Sequence, residues 1–289
     1  MSFRTIVISN RCKLDLRMNY MEVRGETTTK IFLDDIDILI IENPAIALTG
    51  CLLEVLVEKK IKVVFCDSKR NPYSELIPCH GSHDSSRKIK NQIAWDDQVK
   101  GEIWTRIVKE KIKKQSDFLN ELGFENESKM LDQYIEELKY RDETNREGHA
   151  AKVYFNKLFG MNFSREQDCP INAALNYGYS LLLSMVNREI SANGYITQLG
   201  LFHDNIYNPF NLSSDLMEPF RIVVDRIVKT YDIHSFEIDD KRKILEMVSE
   251  EVYIQGTKQM LPNAIKIYVK SVFNALNNCN VLEVSFYEL

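Results

Sequence analysis

No apolar run in this chain approaches the roughly 18 residues that cross a bilayer as a helix. Its longest candidate, Ile36 to Ile41, is strand-sized and carries Asp37. The opening Met1-Ser2-Phe3-Arg4 lacks the charged and apolar regions of a signal peptide, so a cytoplasmic protein with no membrane partner is expected. The six cysteines lie far apart with no C-x-x-C pair, which argues against a zinc ribbon or a small disulfide framework and for reduced, mostly buried thiols. No repeat of 20 to 50 residues and no low-complexity tract is present. There is no G-x-x-x-x-G-K-[ST] and no G-x-G-x-x-G after a strand, which argues against nucleotide hydrolysis of the P-loop kind. The absence of H-E-x-x-H and G-x-S-x-G removes the common zinc-protease and esterase signatures. Only five histidines remain for chemistry: His80, His83, His149, His203 and His234.

What is present divides the chain in two. With 289 residues and 44% hydrophobic content it can bury one large core or two modest ones. From Thr5 to about Leu76 short β-branched runs (Thr5–Ile8, Cys12–Leu16, Tyr20–Val23, Thr28–Leu33, Ile36–Ile41, Lys62–Phe65) are spaced by turn formers as in an antiparallel meander or sandwich. Gly50 to Lys59 breaks the series as a helix with Thr49 before it, and Asp67 to Pro72 reads as a loop. The polar segment from Cys79 to Ser86 is the linker candidate, with Ser85 or Ser86 placed to cap the helix that follows. Beyond it helical periodicity prevails. Val99, Ile103, Ile107 and Val108 share one face; Met130, Tyr134 and Leu138 another; Ala150, Val153, Tyr154 and Leu158 a third. The run Ile171 to Met185 reads as the central buried helix of a bundle. The expected fold is α+β: a small β-rich domain over residues 1–78, a linker at 79–86, and a larger all-α domain over 87–289.

The formal net charge of −5 argues against a generic nucleic-acid coat. It is unevenly spread. Ser85 to Gln115 holds nine basic residues against four acids, and Ser116 to Asn145 nine acids against three bases.

The candidate chemistry lies in scattered acids and one imidazole. His203 sits in Gly200-Leu201-Phe202-His203-Asp204-Asn205, ahead of a helix beginning near Ser213-Ser214 that carries Asp215, Glu218, Arg221 and Asp225. Asp215 and Glu218 are at i,i+3 and project on one side of it, and Pro219 helps fix where Glu218 points. Glu147 opens another helix. One imidazole with two or three carboxylates suits a divalent cation of the Mg²⁺ or Mn²⁺ type, which polarises a phosphoryl oxygen for in-line attack. The residues alone leave a second reading open, in which Arg221 with Glu218 and Lys229 with Asp225 are ordinary ion pairs and His203 is a satisfied loop histidine.

Asn145-Arg146-Glu147-Gly148-His149, Ile171-Asn172-Ala173-Ala174-Leu175-Asn176-Tyr177-Gly178-Tyr179, the Gly200–Asn205 segment and Asp215-Leu216-Met217-Glu218-Pro219-Phe220-Arg221 stand in one order along the chain. In those strings and that order the chain resembles the universal CRISPR adaptation integrases, the CRISPR-associated endonuclease family, and is most like the form from type II systems. The resemblance implies a catalytic divalent cation held by Glu147, His203 and Glu218, with Asp215 a weaker candidate. It implies transesterification, in which the 3′-hydroxyl of captured double-stranded DNA attacks a phosphodiester at the edge of a repeat array. It further implies a homodimer formed by the β-rich domain and a small ferredoxin-like adaptation partner in a larger hetero-oligomer. The effector nuclease and a DNA-end-binding accessory protein are further partners it allows. Arg87, Lys88, Lys90, Arg106 and Lys109 in the basic stretch then become candidate phosphate contacts, with Arg146 and Arg221 beside the ligands. Two alternatives stay in view: a non-catalytic DNA-binding scaffold of the same complex, and a helical protein whose acids are structural.

Overall fold

The computed structural model describes residues 4–77, 82–233 and 235–289, which form two compact units, Met1–His83 and Asp84–Leu289. His80, Cys79 and His234 lie outside the described residues.

In the first unit β1 (Arg4–Ile8), β2 (Lys13–Arg17), β3 (Tyr20–Arg24), β4 (Thr28–Phe32) and β5 (Ile36–Ile41) follow in close succession, then β6 (Ala47–Leu48), α1 (Gly50–Glu58), β7 (Lys62–Cys66) and β8 (Pro72–Leu76). The expected antiparallel meander exists only in β2, β3 and β4, with β6 added parallel to β2. The other sheet has the order β1-β5-β7-β8, and β1, β5 and β7 run parallel. The reason is visible in β5, whose consecutive Ile38, Leu39, Ile40 and Ile41 are all buried. A strand apolar on both faces suits the middle of a parallel sheet better than a half-solvated meander. The helix α1 supplies the crossover from β5 to β7, burying Leu52 and Leu56 in a core shared with Leu14 and Met21 of the meander and Leu39 and Val63 of the parallel sheet. The segment after Asp67 is a tight turn into β8 rather than a loop through Pro72.

The second unit is mostly helical: α2 (Ser85–Ile93), α3 (Asp97–Glu121), α4 (Glu125–Glu136), α5 (Arg146–Phe159), α6 (Pro170–Ala192), α7 (Asn211–Met217), α8 (Arg221–Thr230), α9 (Ile238–Leu245) and α10 (Leu261–Asn278). It is not all-α. Strands β9 (Glu251–Ile254), β10 (Thr257–Met260) and β11 (Tyr287–Glu288) form a three-stranded sheet, too short to announce itself by alternation. Helix α2 begins inside the expected linker and starts after Asp84, so Ser85 and Ser86 are helical residues rather than caps. On α4 the buried face is Ser128 and Leu131, while Met130 is 44% exposed, one position off the expected stripe. Of the described cysteines, Cys66 is buried and Cys51 and Cys279 are exposed, so burial of the thiols is not general.

Helix α6 is the central buried helix that its composition implies. Asn172, Leu175, Tyr179, Leu182, Val186 and Ile190, spaced at three or four residues along it, are all buried. Asp96 caps the 25-residue α3 by accepting from Val99 N at 2.9 Å. Its apolar stripe Trp104, Ile107, Val108 and Ile112 packs inward. Helix α8 lies close against Gly178 of α6, where an added Cβ would overlap Val224 Cγ1 and stand 2.9 Å from Cγ2. Helix propensity alone favours alanine over glycine by about 1 kcal/mol. The prediction is therefore a sign: Gly178→Ala lowers stability by about 1–3 kcal/mol in urea melts because overpacking outweighs propensity, and a stabilised variant contradicts this packing.

Candidate active site

Three segments of the second unit bring the candidate residues together. The first is the start of α5. Asp142 accepts backbone N–H bonds from Arg146 (2.6 Å) and Glu147 (2.9 Å), satisfying two of the helix's free donors. A Cβ at Gly148 would stand 2.7 Å from the Asn145 side chain, so glycine there lets Asn145 fold over the first turn. Glu147 projects from this turn.

The second segment is the loop carrying His203, and α7 holds it from below. Asp215 is fully buried and accepts from the N–H of Leu201 (2.6 Å) and Phe202 (3.1 Å) at Oδ2 and of His203 (3.2 Å) at Oδ1. His203 Nδ1 also lies 2.5 Å from Asp215 Oδ1. One turn earlier Asn211 donates to the carbonyls of Gln198 and Asn205 at 3.1 and 3.0 Å. Asn211 and Asp215 are at i,i+4 on one helical face, which is why one short helix can pin a whole loop. Gly200 is required by closeness: a Cβ there would overlap the His203 carbonyl and stand 2.8 Å from Asp215 Oδ2. With Nδ1 committed to Asp215, Nε2 is the ring nitrogen left for a ligand. The Asp215 hydrogen bond raises the His203 pKa, against the effect of burial. The imidazole stands edge-on to Trp104, 5.6 Å away, and the 47% exposed Phe202 stacks on the same indole at 4.7 Å. A cleft of about 410 Å³ opens beside them, lined by Lys100, Arg141, Phe202 and His203 among others.

The third segment carries Glu218, which sits not in one long helix but in a 3₁₀ turn, Glu218–Phe220, between α7 and α8. Pro219 lies at the start of that turn, and Tyr287 of β11 donates its hydroxyl to the Pro219 carbonyl at 2.9 Å while stacking on Phe220. The break means that Asp215 and Glu218 do different work. Asp215 turns to the His203 loop, and Glu218 turns to Lys111 and Arg221.

Lys111 is a residue of the site that is absent from the candidates named from the sequence. Its Nζ donates to Glu147 Oε1 and to Glu218 Oε2, both at 2.5 Å, and its side chain is 12% exposed. It stood among the basic residues of the expected DNA-binding stretch. The signal against that was helical spacing: Lys111 follows Ile107 by four and Trp104 by seven residues, on the apolar stripe of α3. Burial alone would lower its pKa; the Glu218 and Glu147 charges prevail and raise it. Burial likewise opposes ionisation of Glu218, but the Arg221 and Lys111 charges outweigh it and hold the carboxyl at about 2. Arg221 Nη2 lies 2.9 Å from Glu218 Oε1, with the guanidinium over the Tyr179 ring at 4.6 Å. Tyr179 in turn donates to Asp225 at 2.5 Å, and burial raises the Asp225 carboxyl to about 6.

The remaining candidates separate. Arg146 pairs with Glu137 at 2.8 Å. Arg106 donates to the Val281 carbonyl, and the Lys88 ammonium lies 5.2 Å over the Tyr195 ring. Arg87 pairs with Asp84 at 2.5 Å but is 73% exposed, and Lys90 and Lys109 are exposed. Lys114, in the same stretch, is buried and donates to the Tyr287 carbonyl at 2.6 Å. Lys229 donates to the Leu158 carbonyl at 2.7 Å and not to Asp225, so one of the two simple ion pairs considered above does not form. The other, between Arg221 and Glu218, does.

Among the described residues no three acid, imidazole or thiol side chains close around a common point. The space between the two carboxylates is taken by the Lys111 ammonium. That ammonium is a stand-in ion, showing that Glu147 and Glu218 are arranged to share one cation. The donors are two carboxylates and an imidazole nitrogen, a set that fits a hard divalent ion.

Two outcomes follow from these bonds. Asp215→Ala leaves three loop N–H groups without an acceptor and should cost about 2–4 kcal/mol in urea melts, with hydrogen exchange faster over residues 199–205; unchanged exchange would refute the pinning role. The Asp225 carboxyl, raised from 3.8 to about 6, binds its proton more tightly folded than unfolded. It therefore subtracts stability as pH rises from about 4 through about 6, roughly 3 kcal/mol at most. Asp225→Asn should be more stable than wild type at pH 7 and lose that part of the pH dependence, as melts across this range would register.

Known proteins resemble this chain in sequence and in fold. The family described as "CRISPR associated protein Cas1" matches residues 5–255. A CRISPR-associated endonuclease Cas1 of Neisseria meningitidis serogroup C (strain 8013) is 35% identical over 239 residues, covering 82% of this chain and 77% of that protein. One from Francisella tularensis subsp. novicida (strain U112) is 28% identical over 287 residues, covering 90% and 88%. Among solved structures, a Cas1 protein from Thermotoga maritima has a TM-score of 0.75 at 18% identity, covering 94% of this chain and 97% of that one. A casposase bound to integration product has a TM-score of 0.74 at 20% identity, covering 96% and 91%. A partial Cas6-RT-Cas1–Cas2 complex has a TM-score of 0.66 at 17% identity, covering 97% of each chain. With its β-rich start, its helical remainder and its ordered motifs, the chain belongs to the Cas1 family of CRISPR-associated endonucleases.

Proposed function

We propose that the chain is a divalent-metal-dependent DNA integrase and endonuclease of CRISPR adaptation, inserting captured double-stranded DNA into a repeat array as new spacers. The observation that carries this reading is the convergence of Glu147 and Glu218, from segments 71 residues apart, on one cation beside a His203 ring fixed by Asp215. The same reading draws support from the likeness to a casposase bound to integration product and to the Cas6-RT-Cas1–Cas2 complex.

Glu147, Glu218 and the Nε2 of His203 would hold Mg²⁺ or Mn²⁺. When bound, such an ion polarises a phosphoryl oxygen and lowers the pKa of an attacking hydroxyl. The chain's own residues do the rest. Asp215 holds the ring through Nδ1 and leaves Nε2 for the ion, and the Arg221 charge helps to hold the Glu218 carboxyl below its ordinary range against burial. In the reaction the 3′-hydroxyl of the captured strand forms a new bond to a phosphorus at the repeat edge. The bond from that phosphorus to its former 3′-oxygen breaks, and the proton lost by the attacking hydroxyl is balanced by one gained at the leaving oxygen. The count of phosphodiester bonds is unchanged, so no energy source and no covalent protein intermediate is needed. With water in place of the hydroxyl, the same groups cleave DNA.

Of the candidate basic residues of that stretch, Arg87, Lys90 and Lys109 are exposed and would contact phosphates, and binding through them weakens as salt rises. The β-rich unit would form a homodimer, with a small ferredoxin-like partner between dimers, and the effector nuclease and an end-binding accessory protein are further partners. A strand-transfer assay with that small partner, repeat DNA and Mg²⁺ or Mn²⁺ tests the reading. His203→Ala and Glu218→Ala should each lose about 100-fold or more in rate. Wild-type rates in both would place the chemistry elsewhere and leave the chain a DNA-binding scaffold.

A further inference from the structure

We infer that Lys111 is a resident cation of the active site, an internal competitor that a divalent metal ion has to displace to bind. The inference rests on the reading of Glu147 and Glu218 as metal ligands and concerns a residue which that reading leaves without a role.

The argument is one of charge and tether. Two buried or half-buried carboxylates within reach of a common atom cannot stay ionised side by side without a cation. Glu218 has Arg221, and Asp215 has His203. Glu147 has Lys111, which also takes the second oxygen of Glu218. A lysine ammonium is a compact point charge with no fixed fork of donors, and it can fill a position that suits a small ion in a way that the planar Arg221 guanidinium cannot. It is also fixed in the sheath of the protein: Lys111 lies on the inward stripe of α3, a helix whose Trp104, Ile107, Val108 and Ile112 are buried. Its local concentration at the carboxylates is therefore high and constant, and its binding needs no partner from solution.

Two consequences follow. Without metal, the ammonium staples α3, the start of α5 and the 3₁₀ turn at Glu218, so the ligands are arranged before the ion arrives. With metal, the ion must overcome two charge-assisted hydrogen bonds, which lowers its apparent affinity and reserves the site for a divalent charge over the monovalent ions in excess around it.

The test uses the full chain and Mn²⁺ as the probe, with binding read by electron paramagnetic resonance of free Mn²⁺ and stability read by melting in EDTA. Lys111→Met keeps the length of the side chain and removes its charge. It should bind Mn²⁺ about tenfold tighter than wild type or better, and melt roughly 10 °C lower in EDTA, with added Mn²⁺ recovering most of the loss. Lys111→Arg keeps the charge but not its compact shape, so it should keep only part of the metal-free stability and show no gain in affinity. Equal or weaker Mn²⁺ binding by Lys111→Met overturns the inference while leaving the metal site intact. No Mn²⁺ binding by either protein overturns the metal reading and the inference together. Should Lys111→Met fail to fold in EDTA, the double variant Lys111→Met/Glu147→Gln should fold, because one carboxylate charge leaves with the ammonium. Failure of the double variant would make Lys111 a packing residue and refute the inference.

Discussion

The helical unit is organised around one ammonium held between two carboxylates. Lys111 comes from the middle of α3, Glu147 from 36 residues further on and Glu218 from 107 residues further on, and the three meet in a largely buried place. Charges taken out of water are tolerated only when paired with good geometry, because desolvation otherwise exceeds the Coulomb gain. That constraint propagates outward. Arg221 answers Glu218, Tyr179 lies under Arg221, and Asp225 accepts from Tyr179, so that a line of polar contacts runs from the site into the packing of α6 against α8.

A second line of support is made of backbone. The loop bearing His203 has no regular structure of its own, yet its amides are satisfied by Asp215 and its two ends are tied by Asn211. Both side chains belong to the seven-residue α7. Asp142 does the equivalent for the start of α5, and Tyr287, almost at the end of the described chain, for the turn at Pro219. Each of the three candidate side chains is thus placed through a hydrogen bond from a neighbouring residue. This is the arrangement expected where the geometry of a few atoms decides rate.

The basic stretch shows how a linear charge count divides in three dimensions. The nine basic residues over these 31 positions are divided between two helices, α2 and α3, and do not share one face. Lys111 and Lys114 turn inward, Arg106 turns to the C-terminal segment, and Arg87, Lys90, Lys109 and Lys113 face solvent. The external positive charge is smaller than the local sum implies, and part of that sum is paired with Glu147 and Glu218.

Much of the protein was legible in its sequence. The β-rich start, the helical remainder, the helix after Thr49, the buried α6 and the identity of Glu147, His203 and Glu218 as residues of interest all follow from period, turn chemistry and motif, which are properties of neighbouring residues. The order and direction of the strands, the small sheet of β9 to β11, the break that separates Asp215 from Glu218, and the place of Lys111 between the carboxylates were decided by tertiary structure. Helical spacing says that Lys111 faces inward; it does not say what it meets there. That depends on which distant segments pack against α3, and a buried charge selects its partners only once the fold has brought them within a hydrogen bond of it.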